Sequence, residues 1–355
     1  MSKKIILTGG GTAGHVTPNM ALIPGLKNRG YEIKYVGSYD GIEKKLIEEI
    51  GINYTGISSG KLRRYLSAKN LTDPFRVIKG YGEAKKIMKE YAPDIVFSKG
   101  GFVSVPVVLA AKKYKIPVII HESDMTPGLA NKLSISAAQT ICHNFPETAK
   151  YLPEGKSLLT GSPIREELRM GDKLAGLNLC GFRSNKPIIM VIGGSLGAVA
   201  VNEAVRSALD ELLKKYQIVH LCGKGKTDPS LDKKDGYKQF EYIKAELKDL
   251  FAMTDLVISR AGANAICEIA ALRKPNILIP LSAKASRGDQ ILNALSFKKQ
   301  GFSEVIDEEQ LTDKLLLDTI NKVYENRKQY IEAMEHAVTT DAVTTILNLI
   351  DKTCN

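Results

Sequence analysis

Tryptophan is absent from this chain, and aromatic residues make up only 6% of it. No RNA-binding motif is present, nor any basic tract interleaved with stacking aromatics, which argues against a nucleic-acid partner. The five cysteines (Cys142, Cys180, Cys222, Cys267 and Cys354) form no CxxC pair and match no zinc spacing. An odd number in a long chain suits reduced thiols in the cytosol rather than a disulfide framework. No stretch approaches the roughly 20 apolar residues of a spanning helix. The opening MSKKIILTGGGTAGH has only Ile5-Ile6-Leu7 as an apolar run, which is not the pattern of a signal peptide. Any meeting with a membrane is therefore expected at its surface.

What is present is a basic chain of 355 residues, 44% hydrophobic, with a net charge of +11. That length predicts two domains. The charge favours polyanions: nucleic acid, anionic lipid or phosphorylated substrates. Short apolar runs alternate with longer amphipathic stretches. Lys4–Thr8, Ile33–Val36, Ile95–Ser98, Val118–His121 and Thr140–His143 read as strands, with helices over Thr17–Arg29 and Val105–Tyr114. The pattern restarts at Ile188–Ile192, followed by a helix over Ala198–Lys214 and strands at Ile218–Leu221, Leu256–Ser259 and Asn276–Ile279. Alternation of this kind predicts an α/β architecture of two doubly wound parallel-sheet domains. Thr160-Gly161-Ser162-Pro163 breaks either periodicity and is the expected hinge. The divisions are 1–162, 163–335 and a C-terminal helix over 336–355 whose docking stays open.

Three glycine loops follow strands. In the first, Gly9, Gly11 and Gly14 satisfy G-x-G-x-x-G and lead into a helix, an arrangement that brings backbone N–H groups to a diphosphate. A dinucleotide site also wants an acid at the end of the second strand. That strand ends Val36-Gly37-Ser38, and Asp40 comes late. The second loop, Gly193-Gly194-Ser195-Leu196-Gly197-Ala198, lacks the Lys-Ser/Thr ending of an ATPase loop. Its glycines and hydroxyl at a helix start suit a nucleotide diphosphate. The third is Lys99-Gly100-Gly101-Phe102-Val103-Ser104. Ligands of open parallel sheets bind beyond the carboxyl ends of strands, where all three loops fall. His15 follows the first loop directly and titrates near neutrality. It suits a general base, or equally a histidine that bonds phosphate without moving a proton.

Six segments appear in order: Gly9-Gly-Gly-Thr-Ala-Gly-His15, His121-Glu-Ser-Asp-Met-Thr-Pro-Gly128, Thr160-Gly-Ser-Pro-Ile-Arg165, Gly193-Gly-Ser-Leu-Gly-Ala198, Arg260-Ala-Gly-Ala-Asn-Ala-Ile-Cys-Glu268 and Gly288-Asp-Gln-Ile-Leu-Asn293. Through them nearly the whole chain resembles the MurG family, the peptidoglycan N-acetylglucosaminyltransferases. The resemblance implies a GT-B fold, two Rossmann-like domains facing a cleft. It implies inverting transfer of N-acetylglucosamine from its UDP carrier to the 4-hydroxyl of undecaprenyl-diphosphate-N-acetylmuramoyl-pentapeptide (lipid I), giving lipid II. No metal or other cofactor is implied. For the donor it points to Thr12, Ala13, Gly14, Asp124, Arg165, Ser195, Ile243, Glu268 and Gln290. Arg165 and Ser195 would meet the diphosphate, Ile243 the uracil, Glu268 the ribose and Gln290 the sugar hydroxyls. His15 would be the base, and Gly10, Gly11, Gly100, Gly101 and Ser104 would face the acceptor diphosphate. Many relatives carry Gln-Asn where Ser123-Asp124 stands, and Gln-Gln where Asp289-Gln290 stands. A carboxylate still accepts from a sugar hydroxyl but loses the amide's donor.

The stretch 61–90 holds nine basic and three acidic residues, over half the chain's positive excess. Phe75, Ile78 and Gly82 fall at helical spacing among them, with Lys79 beside. Such a segment suits a helix lying on an anionic leaflet, and equally a helix packed on its own domain with a solvated basic face. With the resemblance, Phe75, Ile78 and Lys79 become the expected membrane patch of a peripheral enzyme on the cytoplasmic side. Rival readings are a glycolipid glycosyltransferase, a UDP-N-acetylglucosamine epimerase, and a non-catalytic protein that binds anionic lipid or nucleic acid.

Overall fold

A computed structural model of the chain describes residues 2–60, 69–194, 197–284, 288–337 and 341–354. The chain divides into two units, Met1–Arg165 with Asp341–Asn355, and Glu166–Thr340.

The first unit holds β1 (Lys4–Thr8), β2 (Glu32–Ser38), β3 (Asn53–Ile57), β4 (Ile95–Ser98), β5 (Val118–Glu122), β6 (Thr140–His143) and β7 (Ser157–Leu159). All pair in parallel, in the order β3-β2-β1-β4-β5-β6-β7. Its helices are α1 (Thr17–Asn28), α2 (Ile42–Glu49), α3 (Lys69–Tyr91), α4 (Ser104–Lys113) and α5 (Leu129–Ser134). Alternate side chains of a strand face opposite ways. Ile5 and Leu7 accordingly join a core with Leu22 and Leu26 of α1, while Ile6 joins Val96, Ala84 and Val107 on the other face. Cover on both faces explains why the central strands are continuous apolar runs.

The second unit holds α6 (Lys173–Cys180), β8 (Ile188–Ile192), α7 (Val199–Ser207), α8 (Leu209–Lys215), β9 (Gln217–Leu221), β10 (Tyr237–Phe240), α9 (Leu247–Met253), β11 (Leu256–Ser259), α10 (Ala263–Ala271), β12 (Asn276–Leu278), α11 (Asp289–Lys299), β13 (Ser303–Val305), α12 (Asp313–Glu325) and α13 (Arg327–Glu335). Its sheet runs β10-β9-β8-β11-β12-β13, again all parallel. The single helix expected over Ala198–Lys214 is two. The chain turns at Ala208, and Asp210 and Glu211 open a fresh first turn, where carboxylates favour the helix dipole.

The last helix, α14 (Ala342–Thr353), belongs to the first unit. Ile346, Leu347 and Ile350 bury against α1. A Cβ on Gly25 would lie 2.3 Å from Leu347 Cδ1, so the two helices approach closely because residue 25 has no side chain. Arg29 pairs with Asp351, and Tyr31 Oη donates to the same carboxylate at 2.8 Å. The expected hinge segment is packed into the first unit. Thr160 and Ser162 are buried, and the N–H groups of Thr160 and Gly161 both donate to the His143 carbonyl, at 3.0 and 3.2 Å.

Candidate functional site

In each unit the strand order reverses at one point, between β1 and β4 in the first and between β8 and β11 in the second. Ligands of open parallel sheets bind beside the loops that leave the carboxyl ends of those strands. In the first unit these loops are Gly9–His15 and Lys99–Val103. Gly9 is fixed where β1 ends, its carbonyl accepting from Tyr35 Oη at 2.8 Å. Gly101 has φ +85°, and a Cβ on it would lie 2.3 Å from the Gly10 carbonyl oxygen. The two loops therefore pack backbone on backbone, which only glycine allows.

Glu43, in the first turn of α2, is fully buried against this loop. Its carboxylate accepts from Gly11 N at 3.1 Å, from Ser38 N at 3.0 Å and from Ser38 Oγ. Burial pushes the carboxyl up, but these donors outweigh it and leave it below the usual range. An acid does serve the end of β2, then, and it is spent on the protein's own N–H groups.

His15 closes a single 3-10 turn, Ala13–His15. Its Nδ1 lies 3.1 Å from the Gly10 carbonyl and 3.2 Å from Thr12 Oγ1. A carbonyl only accepts, so the bond to Gly10 places the ring proton on Nδ1 and a lone pair on Nε2. Burial lowers the imidazole pKa and the Lys99 charge lowers it further, against Gly10, Asp124 and Glu43. His15 is thus neutral at pH 7 and able to accept a proton. Thr12 and Ala13 are exposed and Gly14 half-buried along the same loop.

The expected acceptor residues Gly10, Gly11, Gly100, Gly101 and Ser104 all gather here, with several donors already engaged. Gly11 N serves Glu43, Gly100 N donates to Ser98 Oγ at 3.2 Å, and Ser104 Oγ donates to the Gly101 carbonyl at 2.8 Å. Beyond β5, buried Glu122 accepts from Asp124 N at 3.0 Å, Gly128 N at 2.9 Å and Asn131 Nδ2 at 2.8 Å, which folds the loop that carries Asp124. Burial pushes the Glu122 carboxyl up. Arg165 is half-buried at the end of the first unit.

In the second unit, Gly197 has φ +68°, and a Cβ on it would lie 2.0 Å from the Cys222 carbonyl oxygen. That close approach seats the loop after β8 on the end of β9. Ser195 lies outside the described residues. Glu268 is half-buried in the second turn of α10, not its first, so it is not a charge placed to meet the helix dipole. Gln290 is the second residue of α11, and its Oε1 accepts from Leu281 N at 3.1 Å, leaving the amide NH2 as donor. Arg260 pairs with Glu308 and donates to the Ile279 carbonyl at 3.0 Å, while Glu308 accepts from Ser282 N at 3.1 Å. This pair holds the strand-end loop on which Gln290 rests. Ile243 packs on the apolar cluster beside Ile192 and Phe240.

Residues 5–143 match the glycosyltransferase family 28 N-terminal domain, and residues 188–350 match the family's C-terminal domain. The chain belongs to glycosyltransferase family 28. It is 65% identical over 350 residues to the protein named "UDP-N-acetylglucosamine--N-acetylmuramyl-(pentapeptide) pyrophosphoryl-undecaprenol N-acetylglucosamine transferase" from Lachnoclostridium phytofermentans, with 99% of each chain covered. It is 66% identical over 348 residues to the protein of the same name from Lachnospira eligens, with 98% of each covered. Among solved structures it resembles Acinetobacter baumannii MurG, with a TM-score of 0.78, 27% identity and 99% of each chain covered. The expected GT-B fold and glycosyltransferase class are therefore those of this family-28 enzyme.

The residues of the expected membrane patch, Phe75, Ile78 and Lys79, fall on its α3. Phe75 is 74% exposed and Ile78 67%, while Ala84 and Met88 further along the helix are buried in the core. The helix is anchored by its second half and presents apolar side chains from its first. Arg63 and Arg64 lie outside the described residues. Among the described residues no helix is long and apolar enough to cross a membrane.

Three buried charged residues of the first unit escape sequence reasoning: Glu43, Lys99 and Glu122. Glu43 is one of five charged residues in IEKKLIEE, and nothing in that run marks it as buried. Lys99 offers one signal, an ionisable residue between the fully buried run Ile95–Ser98 and a pair of glycines.

Proposed function

We propose that this enzyme transfers N-acetylglucosamine from UDP-N-acetylglucosamine to the 4-hydroxyl of undecaprenyl-diphosphate-N-acetylmuramoyl-pentapeptide, forming the β-1,4 linkage of lipid II in peptidoglycan synthesis. The observation that carries this reading is identity of 65 and 66% across almost the whole chain to relatives named for that transfer.

The acceptor oxygen attacks the anomeric carbon from the face opposite the diphosphate. The new C–O bond forms as the bond to UDP breaks, and UDP leaves with the electron pair. The acceptor's proton passes to Nε2 of His15, the ring nitrogen that the Gly10 carbonyl leaves bare. Arg165 and the loop after β8, with Ser195, meet the charge that develops on the departing diphosphate. Glu268 accepts from the ribose hydroxyls, Ile243 packs on uracil, and Gln290 offers its free NH2 to the sugar. Thr12, Ala13, Gly14 and Asp124 border the transferring sugar, and the loops after β1 and β4 receive the acceptor diphosphate. Phe75, Ile78 and Lys79 rest on the anionic cytoplasmic leaflet, where the acceptor's lipid is held.

Product analysis with a lipid I analogue tests this. One N-acetylglucosamine is expected on the analogue, with the large anomeric proton coupling of a β linkage. An α linkage, or a sugar on another hydroxyl, would contradict the mechanism.

A further inference from the structure

Beneath the first glycine loop lies a charge that the mechanism above does not use. Lys99 follows β4 directly and is 1% exposed. Its Nζ donates to His121 Nδ1 at 2.6 Å and to Ser123 Oγ at 2.7 Å. His121 is fully buried, and its Nε2 donates to the Gly161 carbonyl at 2.9 Å. A ring nitrogen that accepts from an ammonium carries no proton, so His121 is neutral, with its hydrogen on Nε2. Burial, and then Lys99 itself, hold its pKa well below the ordinary value, in agreement. The chain Lys99–His121–Gly161 links the ends of β4 and β5 to the segment after β7, which fixes the ammonium's position.

The ammonium's stem also touches the loop that carries His15. A Cβ on Gly9 would lie 2.6 Å from the His15 carbonyl oxygen and 3.2 Å from Lys99 Cβ. Three charged groups bear on the imidazole: Lys99 after β4, Asp124 after β5 and Glu43 from α2. The two carboxylates favour imidazolium and Lys99 opposes it.

We propose that Lys99 is a positioning residue that keeps His15 unprotonated, its buried charge held under the first glycine loop by His121 and Ser123. This deepens, and rests on, the reading of His15 as the base. The sign follows from the three charges. With Lys99 gone, burial alone opposes the carboxylates and the imidazole pKa rises. A base that must be unprotonated then loses activity at higher pH, so the acid limb of kcat/KM moves up.

The test is Lys99→Met in the full chain. The Cε1–H signals of the histidines are titrated by NMR, His15 being assigned by its loss in His15→Gln. The His15 pKa is expected to rise, as for loss of a positive charge that disfavours the imidazolium. The acid limb is expected to rise with it. An unmoved His15 titration in a folded variant overturns the proposal. A shifted titration with an unmoved acid limb supports the Lys99 coupling and removes His15 as the base, so the two failures are distinct. Should Lys99→Met not fold, Lys99→Gln replaces it: a rise in the His15 pKa is again expected, and an unmoved His15 titration overturns the proposal.

Discussion

Both units place glycine loops after the strands that flank the reversal of their sheet, yet they fill the space beneath those loops differently. Among the described residues, the buried carboxylates and ammonium are Glu43, Lys99 and Glu122, all in the first unit. In the second unit the loop after β8 rests on main chain, Gly197 against the Cys222 carbonyl, and the Arg260–Glu308 ion pair keeps partial contact with solvent. The contrast matches two kinds of chemistry. Seating a diphosphate depends on where N–H groups point, which glycine backbone and a helix start supply. Moving a proton at neutral pH depends on a tuned pKa, and buried charge tunes it.

The largest break in that contrast is His15→Ala. Loss of a general base is expected to cut kcat by about 10²–10⁴-fold while UDP affinity, measured by titration calorimetry, stays as it was. Turnover at the unaltered rate would return His15 to a purely binding role. Next comes Glu268→Ala in the second unit. Losing hydrogen bonds to a carboxylate, worth about 1.5–3 kcal/mol, is expected to weaken UDP binding roughly 10–100-fold and to leave the acid limb of the pH profile in place. A shifted limb would mean that the two units do not divide binding from proton transfer.

Gly197→Ala sharpens the same point with a stability readout. The added Cβ meets the Cys222 carbonyl in a left-handed backbone conformation, so a loss of about 1–3 kcal/mol is expected in urea unfolding. The smallest effect concerns the surface of α3. Phe75→Ser with Ile78→Ser removes two exposed apolar side chains and is expected to weaken binding to anionic vesicles roughly tenfold, with turnover of a water-soluble acceptor unchanged. Equal losses in both assays would place these residues in the fold rather than at a membrane.

The strands that sequence reasoning finds and those it misses separate by position. The central strands were legible because burial on both faces demands apolar runs such as Ile188–Ile192. β3, β7, β10 and β13 were not, and each is a sheet edge. An edge strand has a neighbour on one side only, and its sequence, such as YKQF in β10, need not be continuously apolar. The site divides in a similar way. Its glycine loops and His15 are local patterns, legible from spacing and resemblance. Glu43, Lys99 and Glu122 acquire their roles only when tertiary packing removes them from water, and a lone charged letter carries no mark of that. The docking of the final helix against α1 is likewise a tertiary fact, written in Gly25 and Leu347 but 322 residues apart in sequence.

The most direct measurement is UDP release from UDP-N-acetylglucosamine, with and without a lipid I analogue, in the presence of EDTA. Release that needs the analogue and persists in EDTA is the expected result. Release without any acceptor would contradict the transferase account and favour an epimerase or hydrolase built on the same fold.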